Sequence, residues 1–100
     1  MMNSELIIKA ISNKSRWQIL QWLKQPKKHF RKQKTDIDTY GVCSGLIHEK
    51  LGLSQSTTSH YMKLLEQSQL VTSMRSGQWT FYKRNETIIN QFKKHINDKL

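Results

Sequence analysis

Residues 51–60 read Leu-Gly-Leu-Ser-Gln-Ser-Thr-Thr-Ser-His, a pattern typical of the end of one helix and the start of the next. Gly52 can adopt the left-handed conformation that ends a helix, and Ser54 can cap the helix that follows. We therefore predict one short helix over 44–51 and a second over 55–68. Two helices joined by a three-residue turn that contains glycine form a helix-turn-helix.

The two predicted helices have different inner and outer faces. The inward positions, spaced as on one side of a helix, are Ile47, Leu51, Thr58, Met62 and Leu65. The outer face of the second helix has no acidic residue before Glu66. Short polar side chains allow a helix to approach base edges in the major groove, and the lack of acids avoids repulsion by phosphates. The residues that we predict to contact DNA there are Gln55, Ser56, Thr57, Ser59, His60 and Lys63.

A predicted β-hairpin follows directly. The β-prone stretches 70–74 and 79–83 flank a turn that contains Gly77, which is typical of a hairpin. A hairpin after a recognition helix is a wing, and cations there suit phosphate or minor-groove contact. Solubilising edge charge is the alternative role for such cations. The predicted wing contacts are Arg75, Gln78, Lys83 and Arg84.

Three more helices complete the predicted architecture, at 5–11, from Asn13 to Pro26, and at 86–100. The apolar positions of the middle one are Trp17, Ile19, Leu20 and Leu23. Residues 27–40 lack periodicity and open with a basic run, so we predict a long loop that either contacts phosphates or is solvated and mobile. The expected fold class is mainly α with a small β-hairpin: a winged helix-turn-helix of about five helices and a two-stranded wing.

The two terminal helices carry apolar stripes beyond those needed for the central core. They either form a homodimer interface or pack onto their own domain. The residues that we assign to the dimer interface are Leu6, Ile7, Ala10, Ile88, Ile89, Phe92 and Ile96.

Composition limits the classes of function. The chain has 100 residues, which predicts one domain over 1–100, and its net charge of +10 favours a nucleic acid or an anionic membrane as partner. Cys43 is the only cysteine, which suits a reducing cytoplasm. The N-terminus lacks the pattern of a signal peptide, and no run approaches the roughly 20 apolar residues of a membrane span. No nucleophile–base pair or phosphate-binding glycine loop is evident, so we expect neither an enzyme nor a cofactor.

The chain resembles the ArsR (arsenic-repressor) family of transcriptional regulators. The similarity lies in the helix-turn-helix 51–60, and in second-helix and wing residues: Arg16, Ile19, Leu20, Leu23, Arg75, Gly77 and Tyr82. The resemblance implies a winged-helix dimer that binds an operator and represses until an effector loosens it. Differences from the family pattern include Thr58, Tyr61-Met62 and Gln69, where the family commonly has Val or Ile, His-Leu and Gly.

The metal site of the family is incomplete here. Many members sense thiophilic metals through two cysteines one residue apart at the start of the third helix; Cys43 matches the first, and Gly45 stands at the second. The family's second type of site is not matched on the last helix, where we interpret His95 as a surface residue. One thiolate cannot hold a soft metal tightly. We predict no tightly bound metal, and leave open a redox role for Cys43.

The sequence thus predicts a sequence-specific, DNA-binding transcriptional regulator. We expect a homodimeric repressor that binds double-stranded DNA at an inverted repeat and is released by an unidentified effector. The alternatives are a winged helix that binds proteins and one that binds RNA.

Overall fold

The structure is a computed structural model that describes residues 2–100. In chain order the helices are α1 Ser4–Ile11, α2 Lys14–Lys24, α3 Pro26–His29, α4 Ile37–Tyr40, α5 Ser44–Leu51, α6 Gln55–Gln67 and α7 Glu86–Lys99. The strands are β1 Val42–Cys43, β2 Val71–Ser76 and β3 Trp79–Arg84.

Local sequence sets the start of the longer helices. A side-chain oxygen accepts a hydrogen bond from a backbone N–H two or three residues into the helix, which satisfies a donor that would otherwise lack a partner. The capping residues are Asn3 for α1, Asn13 for α2, Ser54 for α6 and Asn85 for α7. Helix α5 ends as predicted, with Gly52 in the left-handed region at φ 73° and its N–H donating to the His48 carbonyl.

The strands form one antiparallel sheet in the order β1-β3-β2. The predicted hairpin is confirmed as β2 and β3, with Ser76 opposite Trp79 across a two-residue turn. Gly77 has φ 62°, the positive value that the first central residue of such a hairpin turn adopts. Strand β1 was not predicted: its two residues become a strand only because Val42 and Cys43 pair with Tyr82 and Phe81.

The core lies between the helices and one face of the sheet. Its fully buried large side chains are Ile7, Ile19, Ile47, Met62, Leu65, Val42 and Val71. All five predicted inward positions of the helix-turn-helix are buried or partly buried. The mainly helical winged-helix class is confirmed, with two one-turn helices and one strand more than expected.

The prediction of a structureless loop over 27–40 was wrong. The one-turn helices α3 and α4 lie within Pro26–Tyr40, and Phe30 between them is buried against Trp22, at 6.3 Å between ring centres. The Gln33 side chain donates to the Gly41 carbonyl and accepts from the Cys43 N–H, both at 2.8 Å. The segment is therefore attached to the domain at Phe30 and at Gln33.

The terminal helices pack mainly onto the chain's own core, which corrects the predicted dimer interface. Ile7, Ala10, Ile88 and Ile89 are buried in that core, so they have no surface left for a second protomer. Phe92 is partly buried against the same core. The amphipathic pattern was correct, but the surface that it covers belongs to the same chain.

The exposed apolar residues near the N-terminus are Leu6, Ile8 and Trp17, at 44%, 47% and 51% exposure. Trp17, one of the apolar positions of the predicted second helix, lies on the outer side of α2. Ile96 on α7 is partly exposed. Among the helices of residues 2–100, none is long and apolar enough to cross a membrane.

Candidate nucleic-acid interface

The position of α6 is set by its N-terminal cap. The Ser54 hydroxyl oxygen accepts from the Thr57 N–H at 3.2 Å, and its hydroxyl donates to Thr57 Oγ1 at 2.8 Å. Thr58 is 4% exposed, and its hydroxyl donates to the Ser54 carbonyl at 3.0 Å. The buried threonine is thus satisfied within the first turn. Thr57, predicted to contact DNA, is only partly exposed and its hydroxyl serves the cap.

The inner side of α6 packs against the core, and its outer side is exposed to solvent. Met62 and Leu65 are almost completely buried and hold the helix against the core. The remaining predicted contact residues of this helix are all exposed: Gln55, Ser56, Ser59, His60 and Lys63. Three amide or hydroxyl residues, one imidazole and one ammonium therefore share the surface, and none of these five carries a negative charge. The acid next to them is the exposed Glu66, one turn beyond Lys63.

A shallow groove of about 190 Å³ lies beside this surface, between α5, α6 and β3. Gln55 and Ser59 line it from the recognition helix, and Thr80 and Tyr82 line it from the wing. Ser44 and His48 contribute from α5, with His48 Nδ1 3.4 Å from the Thr58 hydroxyl. Ser44, His48, Thr80 and Tyr82 were not among the predicted contact residues. The alternation of side chains along β3 would have identified Thr80 and Tyr82 once the facing strand was known.

The wing presents one of its faces to the recognition helix. Arg75 lies opposite Thr80, and Ser73 lies opposite Tyr82, so all four share the face that borders the groove. The Ser73 hydroxyl donates to Glu66 Oε2 at 2.6 Å and connects the wing to α6. Burial raises the pKa of Tyr82 and the Glu66 carboxylate raises it further, so this phenol stays a neutral hydrogen-bond donor.

No protein-family model matches the chain, but its sequence is similar to those of two curated proteins. It is 45% identical over 86 residues to the uncharacterized HTH-type transcriptional regulator YbzH of Bacillus subtilis (strain 168), covering 85% of this chain and 86% of that relative. It is 28% identical to the transcriptional repressor SdpR of the same organism, covering 83% of this chain and 77% of that relative.

The chain belongs to the helix-turn-helix transcriptional regulators. These relatives are regulators of transcription, which are not enzymes.

Two solved structures have a similar fold. HlyU from Vibrio cholerae N16961 aligns with a TM-score of 0.62 at 25% identity, over 88% of this chain and 82% of that one. NolR from Sinorhizobium fredii aligns with a TM-score of 0.61 at 23% identity, over 90% of this chain and 77% of that one, and this second likeness shows the fold alone.

Two predicted wing contacts of this helix-turn-helix regulator are engaged within the chain. Only 9% of the Arg84 side chain is exposed; its guanidinium binds the Glu86 carboxylate and donates to the Leu20 carbonyl at 3.1 Å. This ion pair lowers the pKa of Glu86. Arg84 therefore joins the wing to α2 and cannot reach DNA, which corrects the prediction.

Lys83 is also placed away from the recognition helix. Its ammonium donates to the Asp38 carbonyl at 2.6 Å, and it lies opposite Thr72 on the other face of the sheet. The wing cation that borders the groove is Arg75, with Gln78 exposed in the turn beside it. We therefore reduce the wing part of the candidate site to these two residues.

Cys43 occupies the N-cap position of α5 and is partly buried. A Cβ built on Gly45 would lie 4.0 Å from Cys43 Sγ, so a side chain at position 45 would be next to the thiol. Within residues 2–100, no group of three or more His, Cys, Asp or Glu side chains is placed to hold a metal ion. The absence of tight metal binding remains a prediction.

Proposed function

We propose that this chain is an ArsR-type repressor that acts as a homodimer on an inverted-repeat DNA operator and is released by an effector. Residues 1–100 act as one DNA-binding domain in this proposal, in a reducing cytoplasm. The observation that carries it is the exposed polar surface formed by Gln55, Ser56, Ser59, His60 and Lys63 beside Arg75 of the wing, with the Glu66 carboxylate at its edge bound by Ser73. A relative that is named a transcriptional repressor supports the direction of regulation.

The surface matches the chemistry of duplex DNA. Amide and imidazole groups can hydrogen-bond base edges in the major groove, and serines are small enough to let the helix backbone approach. Arginine at the wing suits phosphate or minor-groove contact. The net charge of +10 adds a long-range attraction to any nucleic acid.

The dimer interface of the proposal uses the apolar residues that the core leaves exposed. On α1 these are Leu6 and Ile8, with the partly exposed Ile96 on α7. A two-fold dimer places two recognition helices in successive major grooves, about 34–36 Å apart along DNA. The operator should therefore be an inverted repeat with half-sites about one helical turn apart.

The decisive experiment is selection of bound sequences from a pool of random duplex DNA. Recovery of an inverted repeat, bound more tightly than a scrambled duplex of equal length across several salt concentrations, would support the proposal. Equal binding of every duplex would contradict sequence-specific regulation. Recovery of no bound duplex at all would favour the RNA-binding or protein-binding alternative.

A further inference from the structure

A second cavity lies on the far side of α5 from the recognition helix. Its volume is about 410 Å³, within the range of small-molecule pockets. Basic side chains dominate its lining, and Glu49 is the only acid there. The lining residues are Lys28, His29, Phe30, Arg31, Lys32, Leu46, Glu49 and Lys50.

The pocket is built on ordered backbone. Phe30 is 4% exposed and packs on Trp22, which holds the basic segment between α3 and α4 against the domain. The ammonium of Lys50 lies over both rings, 5.2 Å from the centre of Trp22 and 5.9 Å from that of Phe30. Aromatic faces attract a cation without neutralising it. The Lys50 charge is thus positioned at the pocket and remains available to an anion.

The cations of the pocket are only partly compensated. Lys32 pairs with Glu49 at 3.1 Å. In the described part of the chain, Lys28, Arg31 and Lys50 have no carboxylate within ion-pair distance, and the side chains of Lys28 and Arg31 make no hydrogen bond. Burial lowers the pKa of His29, and the charges of Lys50 and Lys28 lower it further. The positive charges of the neighbouring lysines therefore act on His29 in the lining of the pocket.

We propose that this pocket binds a small molecule through a phosphate group. Phosphate carries three acceptor oxygens and up to about two negative charges, so it can satisfy several cations at once. The planar guanidinium of Arg31 can bind two of those oxygens in parallel. Leu46, which is partly exposed, provides apolar surface for the rest of such a ligand.

The geometry of α5 favours a small ligand over the DNA bound by the recognition helix. Ser44, Gly45 and His48 line the groove beside α6, whereas Leu46, Glu49 and Lys50 line the basic pocket. At about 100° per residue these two sets lie on different sides of one helix. A duplex seated on α6 and the wing would therefore leave the pocket on another side of the protein.

The test is an NMR titration of the full chain, without DNA, at constant ionic strength. Inorganic pyrophosphate and ATP are the probes, and sodium chloride is the ionic control. We expect both probes, and not the chloride, to shift the backbone amide signals of 28–32 and 46–50 and the ring signals of His29. Because no DNA is present, the result is independent of whether the proposed operator binding is correct.

The matched variants compare two charge-reducing pairs. Lys28→Gln with Arg31→Gln removes two exposed pocket cations and should weaken pyrophosphate binding by at least about tenfold. Hydrogen bonds between charged groups are stronger than those between neutral groups. Lys94→Gln with Lys99→Gln removes the same charge from exposed positions on α7 and should leave affinity within about twofold. Thermal melting checks that both pairs fold.

Three outcomes would overturn the proposal. If the two variant pairs weakened pyrophosphate binding equally, binding would depend on the net charge of the protein and not on the pocket. Shifts spread over every basic residue would mean that no defined pocket exists. The absence of shifts at 28–32 and 46–50 with either probe would show that the pocket does not bind phosphate.

Discussion

The guanidinium carbon of Arg16 on α2 lies 5.1 Å from the centre of the Tyr61 ring on the recognition helix. The same guanidinium donates from Nε to the Ala10 carbonyl at 2.7 Å and from Nη2 to the Lys9 carbonyl at 3.2 Å. One side chain thus satisfies carbonyls at the end of α1 and stacks on α6. This triple role explains why an arginine stands at this position of the second helix.

Replacing Arg16 should therefore destabilise the fold. Arg16→Ala should lower the free energy of unfolding by about 2 kcal/mol, because charged hydrogen bonds to two carbonyls are lost. Arg16→Lys should cost about 1 kcal/mol, since an ammonium keeps the charge but not the planar fork. Urea denaturation measures both. The exposed Arg31→Ala is the control, expected within about 0.5 kcal/mol of the parent. If Arg16→Ala matched that control, the interhelical role would be wrong.

Gln69 should be a site of stabilisation. It has φ 66°, and the Leu70 N–H donates to the Leu65 carbonyl while the Gln69 N–H donates to the Glu66 carbonyl. This is the helix-ending arrangement that favours glycine at the left-handed position. Gln69→Gly should raise the free energy of unfolding by about 1 kcal/mol. Gln67→Gly, at the last residue of α6, should instead lower it by up to about 1 kcal/mol. A lower melting temperature for Gln69→Gly would contradict this account.

The proposed DNA contacts predict two kinds of variant. Gln55→Ala or His60→Ala should cost about 1–3 kcal/mol on the selected operator and little on a scrambled duplex, because they would read base edges. Arg75→Ala should weaken both duplexes and reduce the slope of affinity against salt by about one phosphate contact. Fluorescence anisotropy over several salt concentrations separates these effects. Gln91→Ala on α7 is the exposed control. If Gln55→Ala lost equal affinity for both duplexes, α6 would contact the DNA backbone and not the base edges.

The revised dimer interface predicts which substitutions separate protomers. Leu6→Asp with Ile8→Asp should give a folded monomer with weaker operator binding, because both side chains are exposed in the single chain. Ile88→Asp should instead unfold the domain, since it would place a charge at a position only 6% exposed. Analytical ultracentrifugation and circular dichroism distinguish the two results. A parent chain that sediments as a monomer, or a double variant that remains dimeric, would refute this interface.

Cys43 and Gly45 predict a gain of metal binding by a single substitution. The parent should show no cadmium–thiolate absorption at micromolar cadmium, because one thiolate is too few ligands. Gly45→Cys would place a second thiol next to Cys43 and should raise cadmium affinity at least about tenfold. Gly45→Ser is the control without a thiol. A strong thiolate band in the parent would show that other residues complete a site.

Much of the helix-turn-helix was readable from local sequence. The end of α5 at Gly52, the cap at Ser54 and the burial of Met62 and Leu65 depend on neighbours within a few residues, so spacing alone predicts them. The turn at Gly77 and the exposure of Gln55 were predicted for the same reason. These features follow from the periodicity of side chains, about 3.6 residues on a helix and 2 on a strand, and tertiary contacts did not change them here.

Tertiary structure decided the features that depend on partners far along the chain. Strand β1 exists only through pairing with β3. Arg84 is held away from the wing surface because its guanidinium binds the carbonyl of Leu20, a residue 64 positions away in the sequence. An apolar stripe has the same spacing whether it meets its own core or a second protomer, so the sequence could not say that Ile7 and Ile88 would be buried within one chain. Hydrophobic burial is non-directional and depends on the area removed from water; which surface supplies that area is settled only when the whole chain has folded.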